Sequence, residues 1–173
     1  MKSFGLIVSF GALFLTLACS DQNSVAYKAS VENALKQADL SAVSVAEDKD
    51  KNTITLTGTL HSDDAKSRAA DVAKSAAGSR VVANEISVQP VGAESEAKDI
   101  ASNLDDGIEK NYKAALIANH LDKQKISYDV KNGVITLTGS VRTSSERQTA
   151  QSLAKSTPNV QQVVDQLEVK SKS

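Results

Sequence analysis

Hydrophobic positions along the chain follow two different periods. Residues 28–40 and 106–121 place apolar side chains three and four positions apart, which predicts an amphipathic helix in each segment. Residues 54–60 and 135–141 alternate instead, with Ile, Leu, Val and Gly on one side and Thr or Ser on the other. That alternation is typical of a strand with one buried and one solvated face. Helices and half-buried strands therefore follow each other closely along the chain.

The same pattern occurs twice. Ile54 to Gly58 (ITLTG) returns as Ile135 to Gly139, an offset of 81 residues (139 − 58). We expect the offset to hold without a gap through the neighbouring segments, where it pairs Ala34-Leu35 with Ala115-Leu116, Val45 with Ile126, Val72 to Ser75 with Leu153 to Ser156, and Val82 with Val163. A repeat of this length determines the architecture, so the chain contains one module in two copies.

Turn and cap residues order the elements within each copy. Asn132-Gly133 lies between two alternating segments and predicts a tight hairpin, whereas the first copy has a longer loop at 48–52. Thr143 and Glu146 form a capping-box pattern that begins a second helix, and Ser62 is the equivalent cap in the first copy. A final strand is predicted at 80–89 and at 160–170. Two glycines on the inner strand face are expected to leave room for a closely packed helix: Gly58 and Gly139.

These elements predict an α+β protein of two tandem αββαβ modules, each with two helices packed on a small three-stranded mixed sheet. The first domain is assigned to residues 25–89 and the second to 104–170. The linker, 90–103, is rich in charged and small residues that extend the following helix backwards, so it is not a flexible tether. Each module has about 65 residues, near the lower limit for independent stability, and docking between the two would stabilise both.

Composition narrows the chemistry. The 173 residues carry a net charge of −1, with one Cys, two His and no Trp, which gives no overall field for nucleic acid and little material for a metal site. His61 and His120 are interpreted as solvated loop and helix-end residues. No nucleophile elbow, phosphate-binding glycine loop or HExxH stretch occurs. We therefore expect no enzyme activity, no cofactor, no metal and no nucleic-acid partner.

The N-terminus has the pattern of a processing signal. Lys2 precedes an apolar run at residues 4–18 that is shorter than the roughly 20 residues of a membrane-spanning helix. Leu15 to Cys19 resembles the lipobox of bacterial lipoproteins. That resemblance implies a signal peptide cleaved after residue 18, acylation of Cys19, and a short tether at 19–24. Ser20 after the lipidated Cys favours anchoring at the periplasmic face of the outer membrane. The alternative is an ordinary secretory signal and a soluble periplasmic protein.

The second copy resembles the BON domain, named after bacterial osmotically inducible and nodulation proteins. The resemblance lies in Tyr128 to Val141, including the motif glycines Gly133 and Gly139, and in the closing segment Val160 to Val169. The first copy keeps Gly58 but lacks the Asn-Gly turn. Membership implies a non-enzymatic envelope module that binds phospholipid and supports outer-membrane integrity.

Differences between the copies indicate where a ligand binds. Copy two gains lysines on the outer face of its first helix, which is expected to bury Tyr112, Ala115, Leu116 and Asn119 on the other side. The predicted surface for anionic phospholipid consists of Lys110, Lys113, Ala114, Ile117 and Lys123. Two alternatives remain: ordinary solvated lysines with Ile117 packed on the first copy, or a scaffold or chaperone-like module that contacts envelope proteins through strand edges.

Overall fold

The computed structural model describes residues 27–170. The predicted signal peptide at 1–18, the lipidation site Cys19 and the tether at 19–24 lie outside the described residues. The described residues form two hydrophobic cores, one in each module. That part of the chain therefore contains the apolar surface that holds each module together.

The first module has the predicted order, with one refinement. Its elements are α1 (Tyr27–Gln37), β1 (Val43–Asp48), β2 (Thr53–Leu60), α2 (Asp63–Ala76), β3 (Val81–Asn84) and β4 (Ser87–Val88). β1 runs antiparallel to β2, and both β3 and β4 run parallel to β2. The third strand, expected to be continuous over 80–89, is thus split into two pieces around Ile86, which turns into the core.

The second module repeats this arrangement. Its elements are α3 (Glu94–Ala118), β5 (Lys125–Lys131), β6 (Val134–Val141), α4 (Ser144–Ser156), β7 (Gln162–Asp165) and β8 (Glu168–Val169). β5 and β6 are antiparallel, β7 and β8 are parallel to β6, and Leu167 is buried at the break between them. The predicted α+β fold with two tandem modules is confirmed. The linker segment is helical from Glu94 onward and forms the first turns of α3.

The expectation of a gapless repeat is wrong in the first hairpin strand. Val45 lies opposite Leu56, whereas the residue opposite the equivalent Leu137 is Tyr128 and not Ile126. The second module connects its strands with a two-residue turn where the first uses four residues, 49–52. The helix-to-strand connection is longer by the same amount. Because the two changes compensate, the offset of 81 holds on either side and conceals the shift.

The predicted helix caps and hairpin turn are present. Ser62 Oγ accepts a hydrogen bond from Ala65 N at 3.2 Å, and Thr143 with Glu146 makes a complete capping box. Asn132 and Gly133 have φ angles of 49° and 80°, the positive values that a type I′ turn requires.

The two motif glycines have a different role from the one expected. Gly58 has a φ of 125°, and a Cβ there would lie 2.5 Å from the carbonyl oxygen of Ala42. Gly139 has a φ of 96° and faces the carbonyl oxygen of Lys125 in the same way. The close neighbour is therefore the backbone that leads into the preceding strand, and no helix is involved.

Tyr112 distinguishes the core of the second module. Its ring packs edge-on against Tyr128 with centroids 5.0 Å apart, and its hydroxyl donates to the carbonyl of Ala150 at 3.2 Å. Burial raises the pKa of Tyr112, with the neighbouring Tyr128 and Asp165 adding to the effect. Asn119, expected in the buried stripe, is instead exposed because the helix ends there.

The modules dock through the strands at their facing edges. The side-chain amide of Gln162 on β7 donates to the carbonyl of Val82 at 2.6 Å and accepts from the N–H of Asn84 at 3.1 Å. It thereby occupies backbone groups on the free edge of β3 that would otherwise be open to another strand. Ala83, Val134 and Val164 form a small buried cluster at the same junction.

Candidate membrane-binding surface

Four of the five predicted lipid-contact residues lie on one exposed face of α3. Ile108, Tyr112 and Leu116 turn the opposite face of the helix into the core, which directs Lys110, Lys113, Ala114 and Ile117 to solvent. Ile117 is 52 % exposed, so about half of its surface remains open to solvent. We call these four residues the basic face.

Lys123 belongs to the same end of the helix but not to the helix itself. α3 ends at Ala118, and His120, with a φ of 58°, turns the chain away from the helix axis. Lys123 follows as an exposed residue of the connection to β5, which begins at the exposed Lys125. Lys125 is a further exposed lysine at this end of α3 that the predicted surface did not include.

The ammonium groups of this surface have no acidic partner in the described part of the chain. Within residues 27–170, Lys110, Lys113 and Lys123 form no ion pair. The first module differs, because Lys28 on α1 lies 3.7 Å from Glu32 one turn later. The charges of the basic face are therefore available to an external anion.

The N-terminal half of α3 carries features that the sequence interpretation missed. Ile100 and Leu104 are 60 % and 45 % exposed, and the surface around them is acidic, with Glu96, Asp99 and Asp106. The sequence analysis assigned residues 90–103 to a linker and predicted no apolar surface there. The sequence signal that was available is the helical spacing of four exposed apolar residues: Ile100, Leu104, Ala114 and Ala118.

The clefts at the module junction are lined mainly by polar side chains. One cleft of about 290 Å³ lies between the outer faces of the two sheets and is lined by hydroxyl groups together with Glu85 and Asp129. Burial raises the pKa of Glu85, while Lys131 nearby opposes that rise. Nowhere between residues 27 and 170 do three His, Cys, Asp or Glu side chains gather as a metal site would need. His61 bonds the carbonyl of Gln89 at 2.8 Å, and His120 is exposed.

The helices give no sign of a membrane span. Of those between residues 27 and 170, none combines the length and hydropathy needed to cross a bilayer.

Comparison with known proteins identifies both modules. A sequence profile described as the BON domain matches residues 24–90 and 104–171. No curated protein matches the chain. Among solved structures, CdsD, a structural protein of the type III secretion system of Chlamydia trachomatis, is 12 % identical over 84 % of this chain and 92 % of that one, with a TM-score of 0.36. The C-terminal domain of CdsD is also 12 % identical, over 82 % of this chain and 96 % of that one, with a TM-score of 0.35. Likeness at this level carries no conclusion about function.

Proposed function

The chain belongs to the BON domain family, and from that premise we propose that its second module binds anionic phospholipid through the basic face of α3. BON domains bind phospholipids, occur in envelope proteins and are generally not enzymes. The observation that carries the proposal is the set of unpaired lysines around the half-exposed Ile117, which the first module does not have.

The expected affinity is modest. A lysine near an anionic bilayer contributes about 1 kcal/mol, and an isoleucine that is only partly withdrawn from water contributes about 1 kcal/mol more. Lys110, Lys113 and Lys123 with Ile117 therefore supply roughly 4 kcal/mol, which by itself corresponds to millimolar binding. Such a surface needs a second attachment to hold a protein at a membrane.

We propose that Cys19 supplies that attachment. Acylation there, after removal of residues 1–18, would anchor the chain at the periplasmic face of the outer membrane and raise the effective concentration of the basic face near lipid. Together the two contacts would let the protein support outer-membrane integrity. Metabolic labelling with a palmitate analogue tests this part: the wild-type chain should incorporate label, Cys19→Ser should not, and equal labelling of both would contradict it.

Flotation with vesicles tests the lipid contact without the anchor. The protein from Ser20 onward contains both cores and no acyl site. We expect it to float with phosphatidylglycerol vesicles at about 50 mM salt and to be released at about 500 mM salt. It should not bind phosphatidylcholine vesicles at either salt concentration. Absence of flotation with phosphatidylglycerol under every condition would overturn the proposal.

A matched pair of variants locates the contact. Lys110→Glu with Lys113→Glu should abolish flotation, because two attractions become repulsions. Lys28→Glu with Lys36→Glu makes the same change of net charge on α1 of the first module and should leave flotation largely intact. Equal losses in the two variants would show that overall charge, and not the basic face, determines binding.

The strand edges support a second candidate, a protein-binding scaffold. Among the described residues, β1 pairs only with β2 and β5 pairs only with β6, so each module has an outer edge with unpaired backbone groups. An extended segment of an envelope protein could add to such an edge. Charge reversal at Lys110 and Lys113 would leave this contact intact, so the variants that test lipid binding also separate the two functions.

A further inference from the structure

We propose that two copies of this chain associate through α3, antiparallel, with the exposed face of one helix against that of the other. Seven residues of α3 repeat at alternating spacings of three and four along one side of the helix: Ala97, Ile100, Leu104, Gly107, Asn111, Ala114 and Ala118. This is the a and d pattern of a helix that packs against another helix. We call these residues the heptad seam.

The heptad seam exposes apolar surface that its own module does not cover. Ile100 and Leu104 are 60 % and 45 % exposed, and together with Ile117 beside the seam they hold three of the large exposed apolar side chains between residues 27 and 170. Leu104 also borders a cleft of about 120 Å³ that Val88, Ala101 and Ile108 help to line. Large apolar side chains that remain exposed on one helix are typical of a surface that contacts another protein.

Charge along α3 indicates a second copy in antiparallel orientation as the partner. Residues 94–109 of α3 carry six acidic side chains and one lysine, whereas residues 110–118 carry two lysines and no acid. Two such helices side by side in the same direction would place acid against acid. In opposite directions, the acidic half of each helix faces the basic half of the other.

Side-chain size fixes the alignment of the two helices. Large seam residues lie in the N-terminal half of α3 and small ones in the C-terminal half. An antiparallel pair centred near residue 109 places Ile100 of one copy against Ala118 of the partner and Leu104 against Ala114. Gly107 then faces Asn111, and a Cβ at Gly107 would have no neighbour within 4 Å in the isolated chain.

The same alignment brings Lys110 of each copy beside the seam, near the centre of the pair. Among residues 27–170, Lys110 has no ion-pair partner. Ala114 belongs to both the heptad seam and the basic face, and Lys110, also of the basic face, lies beside the seam. A chain bound to vesicles through them therefore cannot form this dimer at the same time, although neither proposal depends on the other.

Sedimentation of the protein from Ser20 onward, without lipid, tests the association. We expect monomer at about 3 µM and mostly dimer at about 300 µM, as for a weak helix-mediated contact. Leu104→Asp or Ala114→Lys alone should each raise the dimer Kd at least about tenfold, because a charge then faces an apolar side chain of the partner. Both changes together should restore association to within about threefold of wild type. Monomer at every concentration would overturn the proposal, as would a double variant no better than the single ones.

Disulfide formation tests the orientation. The protein from Ser20 contains no cysteine, because the chain's one Cys is Cys19. Ile100→Cys mixed with Ala118→Cys should give a mixed disulfide under mild oxidation, and neither variant should crosslink to itself. Both positions are at the surface, and circular dichroism checks that each variant is folded. Self-crosslinking of each variant without the mixed product would show a parallel pair and contradict the antiparallel arrangement.

Discussion

The two modules share one fold but fill it differently. Tyr112 and Tyr128 pack against each other in the second core, where the first core has the smaller Val31 and Val45 at the corresponding places. The Tyr112 hydroxyl also reaches the carbonyl of Ala150, so the second module links α3 to α4 by a hydrogen bond. A fold this small thus accepts either an aliphatic or an aromatic centre, provided that the volume is compensated nearby.

Their surfaces differ more than their cores. An arginine at position 147 of the second module pairs with Asp165 at 2.8 Å, inside the module. The equivalent Lys66 reaches across to the second module instead, donating to the carbonyl of Asn132 at 3.2 Å and to Gln161 at 3.4 Å. The two modules therefore share the same strand topology but differ in the partners that each surface contacts.

Removing the central aromatic residue gives the largest expected effect. Tyr112→Ala should lower the free energy of unfolding by about 4 kcal/mol, because a large buried side chain leaves a cavity. Val31→Ala, at the same place in the first module, should cost about 2 kcal/mol. Urea unfolding measures both losses, and peptide-resolved hydrogen exchange shows which module opens. Equal losses would contradict the difference between the two cores.

Next in size is the amide bridge between the modules. Gln162→Val introduces the valine that the first module has at the equivalent position, Val81. The change removes both hydrogen bonds to β3 and should destabilise the docked pair of modules by about 2 kcal/mol. The reciprocal change, Val81→Gln, affects a side chain that is 45 % exposed and should be nearly neutral. Faster exchange of the Asn84 amide in Gln162→Val alone is the expected readout. Unchanged exchange there would show that the bridge is dispensable.

Helix caps should give a smaller difference. Thr143→Ala removes one half of the capping box and should cost about 1.5 kcal/mol, whereas Ser62→Ala removes a single hydrogen bond and should cost about 1 kcal/mol. Thermal unfolding compares the two. A larger loss from Ser62→Ala would contradict the view that the second module has the more complete cap.

The smallest expected effect comes from the Glu146 carboxylate of the capping box, and this effect depends on pH. Burial alone would raise the pKa of Glu146, but hydrogen bonds from Arg142 and Thr143 outweigh it, and the net result lies below the ordinary value of 4.5. Since the pKa of Glu146 is lower in the folded state, the Glu146 carboxylate stabilises the fold above pH 4.5. This stabilisation is lost as the pH falls through the pKa of the folded state. Glu146→Gln should therefore differ from wild type at neutral pH, and the gap should close in acid. A gap independent of pH would exclude this charge as the cause.

Local patterns predicted most of this fold. Alternation, helical spacing and caps act within a few residues, so they gave the helices, the hairpin strands, the Asn132-Gly133 turn and the tandem repeat. The two-residue shift of β5 escaped notice because two compensating loop changes restore the offset. The role of Gly58 was misjudged for a related reason, since the approaching backbone comes from another strand and leaves no mark near the glycine.

The sequence predicted that the basic face is exposed. An amphipathic helix buries its apolar stripe, so the residues on the opposite side face solvent. The acidic half of that helix was overlooked because the segment had been assigned to a linker. The contacts of Gln162 and Lys66 were not accessible at all, since they join residues about 80 and 66 positions apart across a junction that no local period encodes.

The central claim is that a few residues, not the fold, give the second module its contact with lipid. The most direct test exchanges the faces at the equivalent positions. One variant carries the first module's residues on α3: Lys110→Ala, Lys113→Glu and Ile117→Lys. A second adds the reverse changes on α1: Ala29→Lys, Glu32→Lys and Lys36→Ile. The six changes together restore the composition and net charge of the wild-type chain.

Flotation of these two variants with phosphatidylglycerol vesicles is the decisive measurement. The first variant should lose binding. The second should regain it through α1, because the basic face has moved to the equivalent helix of the same fold. Binding by the first variant at the wild-type level would contradict the claim and would show that the lipid contact lies elsewhere on the chain.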